Sequence, residues 1–268
     1  MVMNYNNIIL LSDMDGTLLN TNGIVSEQNK YAIKEFVAKG GKFGIATGRN
    51  QMNSVMFLDG IELNIPCILY NGGALYDFKT KQFLLLCELE KTKLIEFLRF
   101  CLKEFPDIVI LIFSPDQCSV ISVKENTDPD FIAEHQPCEF CKMEDIIEKP
   151  WIKILFCGEN KMLKSLEREM LKFDLENDVH CVFSSGIYME LLPCQTNKGS
   201  MLMRLRELMD KDYTIYAVGD YNNDIEMLSH ADVGIAVHNA HPDLKEIADV
   251  TTVSNDESAI ADVINHIL

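Results

Sequence analysis

Two aspartates, separated by one residue, stand where the first apolar run of the chain ends. Residues 8–11 are apolar, and Asp13, Asp15 and Gly16 follow them. A short apolar run bounded by turn residues is typical of a strand buried on both faces. Carboxylates at positions i and i+2 of an extended chain point to one side and repel one another, so they need a cation or a shared proton. The pair indicates a cation-dependent site, although D-x-D spacing on its own is more often two solvated acids at an exposed strand end.

Further polar residues follow other apolar runs or begin helical patterns. They are Thr47 with Gly48, Lys198, and Asp220 with Asn223 and Asp224. In isolation, each has a simpler explanation. A threonine before the helix predicted over residues 51–58 is best explained as its N-cap, and a lysine at a helix start as a solvated charge. The Asp/Asn pairs are best explained as turns. A strand–helix–strand order, however, implies parallel strands whose carboxyl ends share one sheet edge, where ligands bind. Their joint occurrence therefore indicates one site around Asp13.

The elements that would position these residues alternate between strand and helix. Ser26 is a suitable N-cap for a helix over residues 27–39, and a strand over residues 42–46 follows. This alternation is interrupted until about Pro193 by strand pairs joined by turns. Helices accompany these strand pairs, including one predicted over residues 130–135. We predict an α/β fold with a three-layer Rossmann-like core and a mainly parallel sheet (residues 1–86 and 189–268). An inserted α+β cap would span residues 87–188.

Composition and charge narrow the function classes. The chain has 268 residues, of which 47% are hydrophobic and 24% charged, and its net charge is -17. Nucleic-acid binding depends on Lys and Arg that neutralise phosphates, so no nucleic-acid partner is expected. No apolar run approaches the roughly 20 residues of a membrane span, and residues 1–7 lack the features of a signal peptide. We therefore expect a cytoplasmic protein that does not bind membranes.

Nine cysteines are scattered along the chain, and Cys138 and Cys141 have C-x-x-C spacing. No second such pair follows at the spacing of a zinc finger. An odd number of cysteines without a signal peptide favours mostly buried thiols over a zinc or redox site.

The polar groups together resemble the four motifs of the haloacid dehalogenase-like phosphohydrolases. The first motif is D-x-D-G-T-L from Asp13, and Thr47, Lys198 and the Asp220 segment follow in order. The position of the insert, and the segment G-x-A-x-x-N-A from Gly234, resemble the Cof-type branch of that family, which carries a large α/β cap. The chain departs from the pattern at residues 255–258, where a glycine is missing, so a loop of different shape is expected.

The resemblance implies a role for each residue. Asp13 would be the nucleophile, and Asp15 would exchange protons while its backbone carbonyl binds metal. Thr47 and Lys198 would hold the phosphoryl oxygens, with Gly48 allowing close approach of the backbone. Asn223 would contact phosphate or fix its loop. The metal ligands would be Asp13, Asp15, Asp220 and Asp224, and Mg²⁺ suits such an oxygen-rich site.

We therefore expect a Mg²⁺-dependent phosphatase that hydrolyses a small phosphorylated metabolite, such as a sugar phosphate or a nucleotide-like compound, through an aspartyl-phosphate. The cap would act as a lid that selects the substrate. Two alternatives remain open: a phosphosugar mutase, and a non-catalytic ligand-binding protein on the same fold.

Overall fold

The structure, a computed structural model, describes residues 4–122, 138–209 and 212–268, without the side chains of residues 184 and 185. The chain forms two compact units: Met1–Leu85 with Asn197–Leu268, and the inserted Leu86–Thr196. The predicted second boundary, at residue 189, is therefore corrected to Asn197. The physical reason is that the strand Tyr188–Pro193 pairs with two strands of the inserted unit.

Numbered along the chain, the described strands are β1 (Ile8–Ser12), β2 (Lys42–Ile45), β3 (Cys67–Leu69), β4 (Ala74–Asp77), β5 (Gln82–Leu86), β6 (Val109–Ser114), β7 (Gln117–Val120), β8 (Cys138–Phe140), β9 (Lys153–Cys157), β10 (Val179–Ser185), β11 (Tyr188–Pro193), β12 (Thr214–Gly219), β13 (Val233–Ala236) and β14 (Val250–Thr251). The described α-helices are α1 (Glu27–Ala38), α2 (Gln51–Val55), α3 (Thr92–Glu104), α4 (Asn160–Met170), α5 (Lys198–Leu208), α6 (Ile225–His230), α7 (Pro242–Ile247) and α8 (Ala259–Asp262). Within the described ranges, no helix has both the length and the apolar character needed to cross a membrane.

The first unit is built on a five-stranded parallel sheet with the order β14-β13-β12-β1-β2. From β1 the chain moves to β2 on one side, whereas from β12 it moves to β13 and β14 on the other. Right-handed crossovers in opposite directions place α1 on one face of the sheet and α6 and α7 on the other. The predicted three-layer α/β core is confirmed. Its topological switch point lies between β1 and β12, where ligands of such sheets bind. Strands β3, β4 and β5 form a separate small sheet.

The two helices that flank β2 begin at residues with side-chain caps. Ser26 Oγ accepts the Asn29 N–H at 3.1 Å at the start of α1, as predicted. Helix α2 is capped by Asn50, whose side chain accepts the Asn53 N–H at 2.7 Å, so the interpretation of Thr47 as a cap is wrong. This helix also ends at Val55, before the predicted residue 58. The next backbone hydrogen bonds span only three residues, which tightens and closes the turn.

The inserted unit has a six-stranded sheet with the order β10-β11-β9-β6-β7-β8. Every pair whose register is described is antiparallel except β7 with β8, which is parallel. Helices α3 and α4 supply Phe97 and Leu166 to a cluster with Ile110, Trp151 and Phe156 from the strands and loops. The predicted α+β insert is thus confirmed, while the helix predicted over residues 130–135 lies outside the described residues.

Candidate active site

Neighbouring parallel strands deliver two acids to the switch point of the first unit. Asp13 directly follows β1, and its N–H donates to Val218 O at 2.9 Å, so the end of β1 is fixed against β12. Asp220 directly follows β12. Asp13, Asp220 and Asp224 each offer a carboxylate oxygen, and these three oxygens lie within 4.8 Å of one another. Asp13 and Asp220 are 207 residues apart in the sequence. The parallel pairing of β1 with β12 brings them together.

Lys198 lies between two of these acids. Asn197 caps α5, with Lys198 as the first helical residue, fully buried. Its Nζ donates to Asp13 Oδ1 and to Asp224 Oδ1, both at 2.6 Å. A buried ammonium group is stable only when it is paired and hydrogen-bonded. The interpretation of Lys198 as a solvated charge is thereby excluded.

Asp224 also holds the turn after β12. Its Oδ2 accepts the N–H groups of Asp220 at 3.0 Å and Tyr221 at 3.2 Å. Both oxygens of this buried carboxylate are thus engaged, one with the turn and one with Lys198. Asp224 therefore fixes the position of Asp220 as well as contributing charge to the cluster.

The cluster carries more negative than positive charge. Burial raises the pKa of Asp13 well above its ordinary value; Lys198 opposes this rise, and Asp224, Asp220 and Asp15 add to it. Burial and the charge of Asp224 raise the pKa of Asp220 to about 7, against the effect of Lys198. Burial alone would lower the pKa of Lys198, but Asp13 and Asp224 raise it instead, so this side chain stays protonated.

These carboxylates fit a divalent cation. They supply only oxygen donors, which Mg²⁺ prefers, and the charge of the ion would offset their mutual repulsion. The side chains that would hold it are those of Asp13, Asp220 and Asp224. The side chain of Asp15 is not among them, and the predicted contact through its backbone carbonyl stays a prediction.

Asp15 has a different cationic partner. Arg49 donates to it in a bidentate manner, from Nε at 2.8 Å and from Nη2 at 2.7 Å. The guanidinium also lies over the ring of Phe57, 4.4 Å from its centroid, which orients the fork. Asp15 is 55% exposed, whereas the side chain of Asp13 is 7% exposed. The two acids of the first motif thus occupy different environments, each beside its own cation.

The sequence interpretation missed Arg49. The available signal was its position directly after Thr47 and Gly48, at the predicted end of a strand beside β1. A cation at that sheet edge is within reach of the first motif. Asn239, the asparagine of the G-x-A-x-x-N-A segment, has a contact that the sequence did not indicate: its side chain donates to Gly16 O at 2.8 Å and accepts the Asn255 N–H at 3.0 Å.

Thr47, Gly48 and Asn223 meet around Asn71. Thr47 is buried, and its carbonyl accepts the Asn71 N–H at 3.0 Å. A Cβ at Gly48 would lie 2.9 Å from Asn71 Nδ2, so a larger residue there would have to displace the Asn71 side chain. Asn223 Nδ2 donates to Asn71 Oδ1 at 3.0 Å, which fixes its loop to the segment after β3. This contact is compatible with the predicted role of Asn223 in fixing its loop, and its predicted contact with phosphate stays a prediction.

The loop that lacks a glycine is closed by a serine. Ser258 adopts φ 65° and ψ 55°, the left-handed conformation that glycine favours. Its Oγ lies 2.8 Å from Ser26 Oγ and donates to Gln28 Oε1, also at 2.8 Å. These contacts stabilise a backbone conformation that is unfavourable for serine. The missing glycine therefore does not prevent the left-handed turn at this position.

A family model described as haloacid dehalogenase-like hydrolase matches residues 10–264. The chain belongs to this family. It is 30% identical to the 5-amino-6-(5-phospho-D-ribitylamino)uracil phosphatase YwtE of Bacillus subtilis, over 96% of both chains. A haloacid dehalogenase-like hydrolase from Bacteroides thetaiotaomicron has the same fold, with a TM-score of 0.82, 24% identity, and coverage of 99% of this chain and 100% of that one.

The chain is also 29% identical to a protein of Arabidopsis thaliana named chloroplastic endoribonuclease YBEY. That match covers 95% of this chain but 45% of the relative, so the chain spans about half the length of that protein. The family and the relatives named phosphatases support a phosphoric monoester hydrolase, as the motifs predict.

Gly16 allows a direct test of the position of Asp220. Gly16 has φ +80°, and a Cβ there would lie 2.3 Å from Asp220 Oδ2. We expect Gly16→Ala to displace this carboxylate and to lower kcat/KM for an aryl phosphate by about 100-fold, the typical effect of a misplacement of about 1 Å. Gly23→Ala is the matched control, because Gly23 has φ +70° and no neighbouring atom within 4 Å. Equal losses in both variants would show that backbone strain, rather than contact with Asp220, is responsible.

Proposed function

We propose that this protein is a Mg²⁺-dependent phosphatase that hydrolyses a small phosphorylated metabolite through an aspartyl-phosphate. The observation that carries the proposal is the buried cluster of Asp13, Asp220 and Asp224 around the Lys198 ammonium. A phosphate ester is a dianion, and an isolated carboxylate would repel it. In this cluster, the ammonium group already touches the carboxylate that would attack.

In the first step, Asp13 attacks phosphorus and forms an acyl–phosphate bond, while the bond between phosphorus and the ester oxygen breaks. Asp15 gives a proton to the departing oxygen, which leaves as an alcohol. Nζ of Lys198 carries three N–H donors, of which Asp13 and Asp224 use two, and the third would bind a phosphoryl oxygen. Thr47 and the backbone at Gly48 would bind the other oxygens at the same sheet edge.

In the second step, water attacks phosphorus and the acyl–phosphate bond breaks, releasing phosphate and the Asp13 carboxylate. Asp15, now a carboxylate, takes the proton of the attacking water. For both transfers one oxygen of Asp15 must exchange its contact with Arg49 for the reacting oxygen. Arg49 would keep the other oxygen in place, which makes it a positioning residue for this proton transfer.

The proposed cofactor is Mg²⁺, held by Asp13, Asp220 and Asp224 and by the backbone carbonyl of Asp15. When bound, the ion would supply charge neutralisation between the carboxylates and the phosphate dianion. The support for it is the chemistry of the donors and the raised pKa values of Asp13 and Asp220.

For the substrate, we propose a phosphorylated sugar or sugar alcohol that carries a nucleobase-like ring. The support is the relative named 5-amino-6-(5-phospho-D-ribitylamino)uracil phosphatase, a name that describes a phosphorylated pentitol joined to a pyrimidine. Such a compound belongs to both substrate classes that the sequence interpretation considered, the sugar phosphates and the nucleotide-like compounds.

The nucleophile is tested by Asp13→Asn. We expect wild-type protein to release phosphate from 4-nitrophenyl phosphate in the presence of Mg²⁺, and to lose this activity when a chelator removes the metal. Asp13→Asn should have no measurable turnover, because an amide cannot form the acyl phosphate. Asp59→Asn is a matched control on an exposed aspartate of the same unit, and it should retain full activity. Turnover by Asp13→Asn would contradict the assignment, and inactivity of the wild type across many phosphate esters would favour a ligand-binding protein.

The substrate class is tested by comparing kcat/KM for three compounds. We expect kcat/KM for 5-amino-6-(5-phospho-D-ribitylamino)uracil to be at least about tenfold higher than kcat/KM for D-ribitol 5-phosphate or for uridine monophosphate. A substrate that lacks some of the recognised groups loses the binding energy that would otherwise lower the transition-state barrier. The measured product is inorganic phosphate. Its release also distinguishes hydrolysis from the isomer formation that a mutase would catalyse. A faster reaction with D-ribitol 5-phosphate, which carries no ring, would exclude the proposed substrate class, whereas a faster reaction with uridine monophosphate would favour a nucleotide over a sugar alcohol within it.

A further inference from the structure

Two cysteines of the inserted unit are direct neighbours on parallel strands. In the register of β7 and β8, Cys118 pairs with Cys138. Paired residues on adjacent strands point to the same face, and such strands lie about 4.8 Å apart. This spacing is within the Cα separation of roughly 4.4–6.8 Å that a disulfide bond requires. The backbone can therefore accept a bond between these two residues without moving.

The side chains have the arrangement that such a bond needs. The two Sγ atoms lie 2.6 Å apart, with both residues as thiols. A disulfide would shorten this separation to about 2.05 Å. A displacement of about half an ångström is within the reach of side-chain rotation.

Exposure gives the two sulfurs different roles. Cys118 is 1% exposed, whereas Cys138 is partly exposed, so a reagent in solution reaches Cys138 first. The hydrogen bond with Cys138 and burial raise the pKa of Cys118, and the charge of Lys153 opposes this rise only in part. Cys118 is thus suited to react second, with the sulfur already beside it.

Cys141, the other half of the C-x-x-C pair, faces away. Its N–H donates to Val120 O at 3.1 Å, and its side chain packs against the hydrophobic cluster beneath α3 and α4. Its thiol is hydrogen-bonded to Ser119, which points to the face opposite Cys118. The spacing of the motif in sequence therefore does not identify the reactive pair.

We propose that Cys118 and Cys138 form a reversible disulfide bond when the protein meets a disulfide oxidant such as oxidised glutathione. The Cys138 thiolate attacks one sulfur of the oxidant and releases one glutathione thiolate. The Cys118 sulfur then attacks the Cys138 sulfur of this mixed disulfide and releases the second glutathione. The protein loses two electrons and two protons, and oxidised glutathione is reduced to two thiols.

The bond would tie down the edge of the sheet. Strand β8 is three residues long and ends the strand order next to β7. A covalent link would hold this edge strand and close the chain between residues 118 and 138. Because a cross-link restricts the unfolded chain, the oxidised protein unfolds at a higher temperature than the reduced protein.

The test is peptide mapping of the full chain after oxidation by glutathione disulfide and alkylation of the remaining thiols. Digestion with trypsin and a glutamate-specific protease separates Cys138 from Cys141, because Glu139 lies between them. We expect a peptide pair linked through Cys118 and Cys138, lighter than the two reduced peptides by about 2 Da, the mass of the two hydrogens lost. Dithiothreitol should remove the link, and the thermal midpoint should rise on oxidation and fall on reduction.

Cys141→Ala is the matched control and should form the same linked peptide. Cys118→Ala should instead stop at Cys138 joined to glutathione, and circular dichroism before oxidation checks that this variant is folded. A link between Cys138 and Cys141 in the wild type would overturn the proposal. Wild-type protein that stops at the mixed disulfide, like Cys118→Ala, would overturn it as well.

Discussion

The ammonium group of Lys198 is the interaction on which the site depends. It is fully buried and shared between Asp13 and Asp224, each at 2.6 Å. Without it, three carboxylates would have to share a poorly solvated volume with no compensating charge. Removing one member of a buried ion pair typically costs about 3–5 kcal/mol, because the remaining charge stays buried. The cluster is thus held as a unit. Helix α5 supplies the Lys198 ammonium, the end of β1 supplies Asp13, and the turn after β12 supplies Asp220 and Asp224.

The sheet topology explains why such a cluster can form. Asp13 and Asp220 directly follow adjacent parallel strands at the point where the chain departs in opposite directions, which is where ligands of such sheets bind. At this edge, the two acids of the first motif lie in different environments. Asp13 is buried beside Lys198, whereas Asp15 is exposed beside Arg49. Different surroundings suit different duties, since a nucleophile must be held in place and a proton carrier must exchange partners.

Much of this arrangement could be predicted because its signals are local. Apolar runs ended by Asp13 and Asp220 mark strand ends, and the side-chain cap at Ser26 marks the start of α1. The family motifs then indicated that these ends converge. Arg49 was missed because its bond to Asp15 depends on the distance between β1 and β2 and on support from Phe57, neither of which spacing along the chain reveals.

The remaining differences have the same origin. The inserted unit extends beyond the predicted residue 188 because β11 pairs with both β10 and β9 of that unit, a pairing that assigns the whole strand to the insert. Spacing along the chain likewise does not show that Cys118 lies beside Cys138, because the parallel register of β8 with β7 brings them together. Pairing between strands thus decides both outcomes.

Trapping of the phosphorylated enzyme tests the proposed role of the Lys198 cluster most directly. Protein turning over an aryl phosphate with Mg²⁺ would be quenched with borohydride, which reduces an acyl phosphate to an alcohol and converts the modified aspartate to homoserine. Tandem mass spectrometry of the N-terminal peptide then locates the change. We expect homoserine at position 13, and only when substrate is present. Homoserine at position 15, or rapid turnover with neither position modified, would contradict it.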